Sequence, residues 1–375
     1  MDLKNNKKDI FEAINLINTI LPRKKYLIKK INTISSGLFV GADHISKTDL
    51  PKYNQSSMDG IGISKIGKKY KVIGKTSLTK LNQKKVKENE CLIVKTGSFI
   101  NNSIKKIIPV EDLIKEKNIF HHSNYSKNNF IRKKGHVIKS NSIVFKKGYR
   151  LCNKDIQFIN NFNNSKIKIT QPLSFTLIGT GNEFFGKNAF KPTNIEYLNN
   201  FLKINNQIIN NVITIKDDQK KLEQLINKSK SNIIIVTGGT GKSDDDFNFQ
   251  NKKLVIEDLN LKPGKPLKVI KINNKVIIYF PGNPCSNFVL TNILLKGILL
   301  KYYSNKQIAL KDLKIKLKYP FNKLKRKSFL FAKLDQNSVK IFDDQESSNI
   351  INIIKSNILI YYDNTENIKY IKIYD

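Results

Sequence analysis

SFTLIGTGNE (174–183), NIIIVTGGTG (232–241) and KVIIYFPGNP (275–284) are three apolar runs, and each passes directly into a glycine-bearing loop. Their length and β-branched content predict strands. NIEYLNNFLKI (194–204) and QKKLEQLINKS (219–229) lie between the first two runs and have helical apolar spacing, with NVITI (211–215) as a further strand between them. Thr193 is the expected cap of the first helix, and Asp217 or Asp218 of the second. VIKI and KVIIYF flank Asn273–Asn274 and predict a hairpin turning there. NFVLTNILLKGILLKYY (287–303) again has helical spacing. This alternation predicts a mainly parallel sheet with helices on its faces. Loops after the carboxyl ends of such strands gather on one edge, where ligands bind. Glycine allows close backbone approach, and free N–H groups hold anions. The middle of the chain therefore predicts a crevice for a phosphorylated or oxyanionic small molecule.

Outward from this block the pattern changes on both sides. Apolar residues at Ile10, Phe11, Ile14, Ile17 and Leu21 predict an amphipathic helix within residues 8–30 rather than the continuous apolar core of a signal peptide. Residues 45–140 carry short β-like runs (KYKVIG, ECLIVKTG, NNFIRKK) punctuated by Gly, Asn and Ser, which predicts a small β-rich domain. IVFKKGYRL (143–151) reads as strand–turn–strand and DIQFINNFN (155–163) as a short helix. Residues 310–375 carry five short strand candidates and no long helix, so a separate small β-domain is expected there. The expected domains are 1–44 plus 141–171, 45–140, 172–309 and 310–375.

The chain has 375 residues and a net charge of +37, from 67 Lys+Arg against 30 Asp+Glu. Its arginines are only Arg23, Arg132, Arg150 and Arg326. Nucleic-acid surfaces favour arginine, which forks onto phosphate and guanine. Lysine spread evenly among asparagine and isoleucine is instead the pattern of solvated faces, whose field also attracts small anions. No specific nucleic-acid partner is expected. Cys91, Cys152 and Cys285 are odd in number and far apart, so neither a disulfide framework nor a zinc cluster is expected. FVLTNILLKGILL (288–300) is too short and too interrupted by Thr291, Asn292 and Lys296 to cross a bilayer. A cytoplasmic protein without a membrane partner is the expectation.

Two familiar phosphate motifs fail. TGGTGKS would need glycine at Val236 to be a P-loop, and GTGNEF has Phe184 at the third glycine of a dinucleotide fingerprint. Four segments remain. TGGTGKSDDD places Gly238 and Gly239 at a strand end with Asp244, Asp245 and Asp246 close behind, a pattern suited to Mg²⁺ shared between carboxylate and phosphate. KPGKP (262–266) holds Lys262 and Lys265 on a scaffold stiffened by Pro263 and Pro266. PGNPCSN (281–287) opens a helix, with Gly282, Asn283 and Ser286 where N–H groups and a hydroxyl can meet an anion. SSMDG (56–60) sets Asp59 before a glycine.

Taken together, the segments resemble the molybdopterin molybdenumtransferase family, the MoeA proteins and the E domain of gephyrin. PKYNQSSMDGIGI (51–63) is similar to the family's PPFDNSAMDGYAV, KTGSF (95–99) to MTGAP, and IGTGNE (178–183) to STGDE. TGGTGKSDDDF (237–247) is similar to SGGVSVGEADY, FPGNPCS (280–286) to LPGNPVS, and KPGKP is identical. KRKSFLFAKL, with Arg326, and SSNIINIIKSN (347–357) resemble the family's C-terminal segments. The matches follow the family's order along nearly the whole chain.

The resemblance implies an elongated, multidomain protein. Its parts would be an α/β central domain of the molybdopterin-binding type, a β-rich insert domain and a small C-terminal β-domain. It further implies insertion of molybdate into adenylylated molybdopterin with release of AMP, dependence on Mg²⁺, and a homodimer whose cleft is shared between subunits. Molybdopterin adenylyltransferase, which shares the middle domain, is an expected contact. The positions that match family site residues are Asp59, Thr96, Glu183, Asp217, Asp246 and Lys262 for catalysis. Glu183 and Asp246 match for the metal. Gly238, Gly239, Lys265, Pro266, Gly282, Asn283, Ser286, Arg326, Ser347 and Ser348 match for substrate. The chain departs from the family at His136–Val137, where Glu-Asp is usual, and at Lys105, Asn182, Pro192 and Gly241. A non-catalytic pterin-binding or scaffold relative is the alternative these departures leave. A basic nucleic-acid-binding protein is the alternative left by charge alone.

Overall fold

The strand Ile233–Thr237 is buried at every position, as expected of a strand covered on both faces rather than one. The computed structural model describes residues 7–122, 126–162, 166–239, 254–315, 317, 324, 326–336, 338–363 and 368–373. Within them, Ile233–Thr237 lies inside a six-stranded sheet. The order is Ile208–Ile215, Ser174–Thr180, Ile233–Thr237, Lys275–Phe280, Lys268–Ile272 and Leu254–Glu257. The first four strands run parallel, and Lys268–Ile272 is antiparallel to both of its neighbours.

Side-chain alternation divides the core. Phe175, Leu177, Ile233, Ile235, Val276, Ile278 and Phe280 face the N-terminal helix Ile10–Ile20 and the helical run 284–304. Ile178, Ile234, Val236, Ile277 and Tyr279 face Leu222 and Ile226 of the helix Gln219–Lys228. Full burial of each such side chain stabilises by roughly 1.5–3 kcal/mol. The helical run includes a π segment, Leu290–Leu295. Thr291 and Asn292 are buried there. They are satisfied by Thr291 Oγ1 donating to Asn287 O at 2.8 Å and Asn292 Nδ2 to Tyr197 Oη at 2.7 Å.

Several expectations need correction. The first helix ends at Ile20 because Pro22 disfavours helical geometry at Leu21. Residues beyond it form the strand Tyr26–Lys30, antiparallel to Lys166–Thr170. Thr193 does not cap its helix but begins it, with Pro192 at the cap position and no side-chain cap bond. Of the two aspartates, Asp218 is the cap, accepting from Lys221 N at 2.9 Å. The hairpin does turn at Asn273, which has φ 51°, and pairs Ile272 with Lys275.

A second six-stranded sheet has the order Lys106–Pro109, Gly60–Ile63, Glu90–Val94, Lys69–Lys75, Ile119–His122, Leu113–Glu116. Two-stranded pairings flank it. His44–Ile45 meets Ile143–Phe145, and Gln55–Ser56 meets Ile131–Arg132. The C-terminal strands Lys311–Asp312, Lys369–Lys372, Ile358–Tyr362, Ser328–Leu334 and Val339–Ile341 form a third, antiparallel sheet in that order. Among the described residues no helix is long and apolar enough to cross a membrane.

Candidate active site

Parallel strands deliver three loops to one edge of the central sheet, and direct bonds join these loops. Gly238 N donates to Phe280 O at 3.1 Å, and Thr180 Oγ1 to Thr237 O at 3.2 Å. Gly238 has φ 104°, and a Cβ there would come within 2.6 Å of Thr180 O, so only glycine fits between the loops. The Asn194 amide donates to Gly282 O at 2.7 Å and fixes the third loop from the helix Thr193–Ile204. Asn283 caps the following helix by accepting from Ser286 N at 3.2 Å. Ser286 is thus a buried first-turn residue rather than the cap.

The acidic side of this edge is held by a reciprocal contact. Asp217 Oδ2 accepts from Asn182 N at 3.1 Å, while Asp217 N donates to Asn182 Oδ1 at 3.4 Å. Glu183 follows in the short turn Asn182–Phe184, exposed to solvent. Gly239 ends the described part of its loop; Asp246, together with Gly241, Asp244 and Asp245, lies outside the described residues.

On the basic side, the KPGKP turn is bonded through its backbone to the start of the C-terminal strand Ser328–Leu334. Lys262 N donates to Lys327 O at 3.0 Å, and Phe329 N donates to Lys262 O at 2.8 Å. Lys262 and Arg326 are therefore neighbours, both exposed. Neither has a carboxylate partner among the described residues. Exposed cations of this kind attract a dianion, and ordering their long side chains on binding costs about 0.5–1.5 kcal/mol each. Lys265 is different: its Nζ lies 3.9 Å from Asp258 Oδ2, and its neighbour Pro266 is half-buried. Of the two KPGKP lysines, Lys265 alone has a carboxylate within 4.0 Å among the described residues.

The C-terminal serines reach the helix start through Cys285, whose Sγ donates to Asn349 O at 3.4 Å. Ser348 is exposed and Ser347 half-buried beside it. Burial pushes the Cys285 thiol up to about 11, so it stays protonated and serves packing rather than nucleophilic attack.

Asp59 and Thr96 form a unit of their own on the β-rich sheet. Thr96 donates to Asp59 Oδ1 twice, from N at 2.6 Å and from Oγ1 at 2.8 Å. These bonds, with a lesser contribution from Lys95, hold the Asp59 carboxyl below the usual carboxylate range. A depressed pKa makes the contact fully present above the ordinary carboxylate value. It is lost as pH falls through the lowered one. Thr96→Val should move the Asp59 titration upward, as followed by carboxyl carbon chemical shifts; an unmoved titration would remove the hydroxyl from this account. Among the described residues neither Asp59 nor Thr96 bonds to the edge of the central sheet. Val137, at the family departure, is well exposed.

The residues not foreseen are Asn194, Asn182 as partner of Asp217, and Asp258. Each is a polar residue whose role depends on a neighbour distant in sequence or across a turn, and spacing alone carries no such signal.

A multidomain α/β protein with a glycine-bearing sheet edge, accompanied by two β-sheet units, is the class this architecture defines. Residues 8–162 match the family described as MoeA N-terminal region (domain I and II), and residues 176–301 match the "Probable molybdopterin binding domain". The chain belongs to the MoeA family. It is 23% identical over 269 residues to the molybdopterin molybdenumtransferase of Staphylococcus aureus (strain COL), covering 66% of this chain and 64% of that protein. With the enzyme of the same name from Haemophilus influenzae it shares 24% over 289 residues, 71% of this chain and 70% of that one. The molybdopterin biosynthesis MoeA protein from Pyrococcus horikoshii OT3 has the same fold, with a TM-score of 0.80 at 17% identity over 98% of this chain and all of the other.

Proposed function

We propose that this chain is a molybdopterin molybdenumtransferase: it inserts molybdate at the dithiolene of adenylylated molybdopterin, with release of AMP. The observation that carries the reading is the backbone pairing of Lys262 with Lys327 and Phe329, which brings KPGKP to the Arg326 segment, while Gly264 packs against Leu290 of the helical run that the Gly282–Asn283 loop opens. Molybdate is a tetrahedral dianion and requires fixed cations with N–H or hydroxyl donors. Lys262, Arg326, Ser286 and the Ser347–Ser348 pair supply that chemistry. Pro284 has no N–H, and those of Ser286 and Gly238 are held by Asn283 and Phe280, so the Gly239, Gly282 and Cys285 N–H groups are the proposed phosphate donors.

Cleavage of the anhydride bond to AMP develops negative charge on the departing phosphate oxygen. Mg²⁺, when bound, would neutralise part of that charge. Among the described residues no group of three or more His, Cys, Asp or Glu is placed to hold a metal. Mg²⁺ commonly uses one or two carboxylates and takes its remaining oxygens from phosphate and water. The exposed Glu183 carboxylate fits that requirement, and Asp246 is the proposed second donor. Asp217 holds Asn182 and so sets the turn that carries Glu183.

Asp59 and Thr96 are proposed to act across a homodimer, each pair completing the cleft of the other subunit. Molybdopterin adenylyltransferase is the proposed donor partner, and a reducing cytoplasm the proposed setting. The domain limits 1–44 plus 141–171, 45–140, 172–309 and 310–375 belong to the same proposal.

Complementation tests the reading. Expression in a strain lacking its own molybdenumtransferase should restore a molybdoenzyme's activity, and Asp246→Ala should abolish that rescue. Soluble wild-type protein without rescue would overturn the assignment.

A further inference from the structure

The two lysines of KPGKP differ in their surroundings, and the difference has a cause in this chain. Asp258 adopts φ 63°, a left-handed geometry that aspartate tolerates. Its carboxylate lies 3.9 Å from Lys265 Nζ and 3.7 Å from Lys268 Nζ, while Glu257 lies 3.7 Å from Lys268. Lys268 is only 12% exposed and Lys265 38%. Two ammonium groups and two carboxylates therefore balance, and Lys265 presents less net charge than Lys262. The turn does not depend on these ion pairs for closure. Asp258 N donates to Leu267 O at 2.9 Å, and Leu259 N to Lys265 O at 2.8 Å.

We infer that Asp258 is an internal competitor for the substrate oxyanion, a specificity-determining residue that holds Lys265 in reserve. The inference rests on the reading of KPGKP as the oxyanion edge. Charge-assisted contacts of full strength close to about 2.7–2.9 Å. At 3.9 Å the Asp258–Lys265 pair is an attraction without a hydrogen bond, which a tetrahedral oxyanion in contact with Lys265 can replace. Lys268, with Glu257 as a second partner and little exposure, retains Asp258 when Lys265 turns to the ligand. The competitor weakens all anions and weakens dianions most, since releasing Lys265 costs the same for either while the carboxylate repels a doubly charged ligand about twice as strongly.

Asp258→Asn keeps the shape, the left-handed backbone and both backbone bonds while removing the charge. Calorimetric titration of molybdate into the purified full chain is expected to give binding about two- to fivefold tighter than wild type. The ratio of dianion to monoanion affinity, measured with perrhenate as the monoanion, should rise. Glu88→Gln, which removes a carboxylate paired with Lys65 on the β-rich sheet, should leave molybdate affinity unchanged and so controls for net charge. An Asp258→Asn protein with wild-type melting temperature and equal or weaker molybdate binding overturns the proposal. So does an equal gain from Glu88→Gln, which would reduce the effect to bulk field. If wild type binds molybdate with no dependence on Lys262, the KPGKP reading itself has failed, and the inference with it.

Discussion

Lys262→Glu is expected to lower kcat/KM by about 100-fold or more, on the scale of losing one fixed group that stabilises developing anionic charge. The exposed side chain is replaced by one that repels the dianion, while the backbone contacts of residue 262 to Lys327 and Phe329 are untouched. Folding should therefore change little, within about 0.5 kcal/mol for a surface substitution. Steady-state turnover and a melting curve on the same preparation separate the two effects. A folded variant retaining half of its activity would place the oxyanion elsewhere.

Gly60→Ala is the second large effect, and it acts on structure. Gly60 has φ 153°, and a Cβ there would overlap the carbonyl oxygen of Ile108 on the adjacent strand. Gly60 pairs with both Pro109 and Val94, so the backbone on either side cannot retreat without breaking the sheet. Strain of this kind costs about 1–3 kcal/mol, and loss of the neighbouring pairings adds to it. A melting transition assigned to the β-rich sheet should fall by several degrees, and Asp59, the preceding residue, should lose its fixed relation to Thr96. Unchanged melting together with an unchanged Asp59 titration would contradict this account.

The sequence was most legible where local chemistry decides the outcome. Buried strands followed by glycine, the Asn273 turn and the order of the motif segments all lie within a few residues of their cause. Asp9 caps the first helix, with Phe11 N donating to its carboxylate at 2.8 Å, a local signal that the sequence reading passed over. Legibility failed where a local preference met a stronger neighbour. Apolar spacing extended the first helix past Ile20, but Pro22 ended it. Thr193 had a good cap side chain, yet the chain entered the helix through Pro192. In the site, KPGKP announced two lysines but could not announce that Asp258 faces one of them. Such pairing depends on how the turn folds back, and charge counts along the chain are blind to it.

His44–Ile45 and Ile143–Phe145 lie side by side where the chain enters and leaves the β-rich unit. The two segments run antiparallel there, with a register shift between Ile143 and Phe145. Rotation there would carry Asp59 and Thr96 as one rigid head, because they are bonded to each other rather than to the body. A change of angle at that pairing would alter the distance from Asp59 to the central sheet while leaving both bonds of the Asp59–Thr96 contact intact.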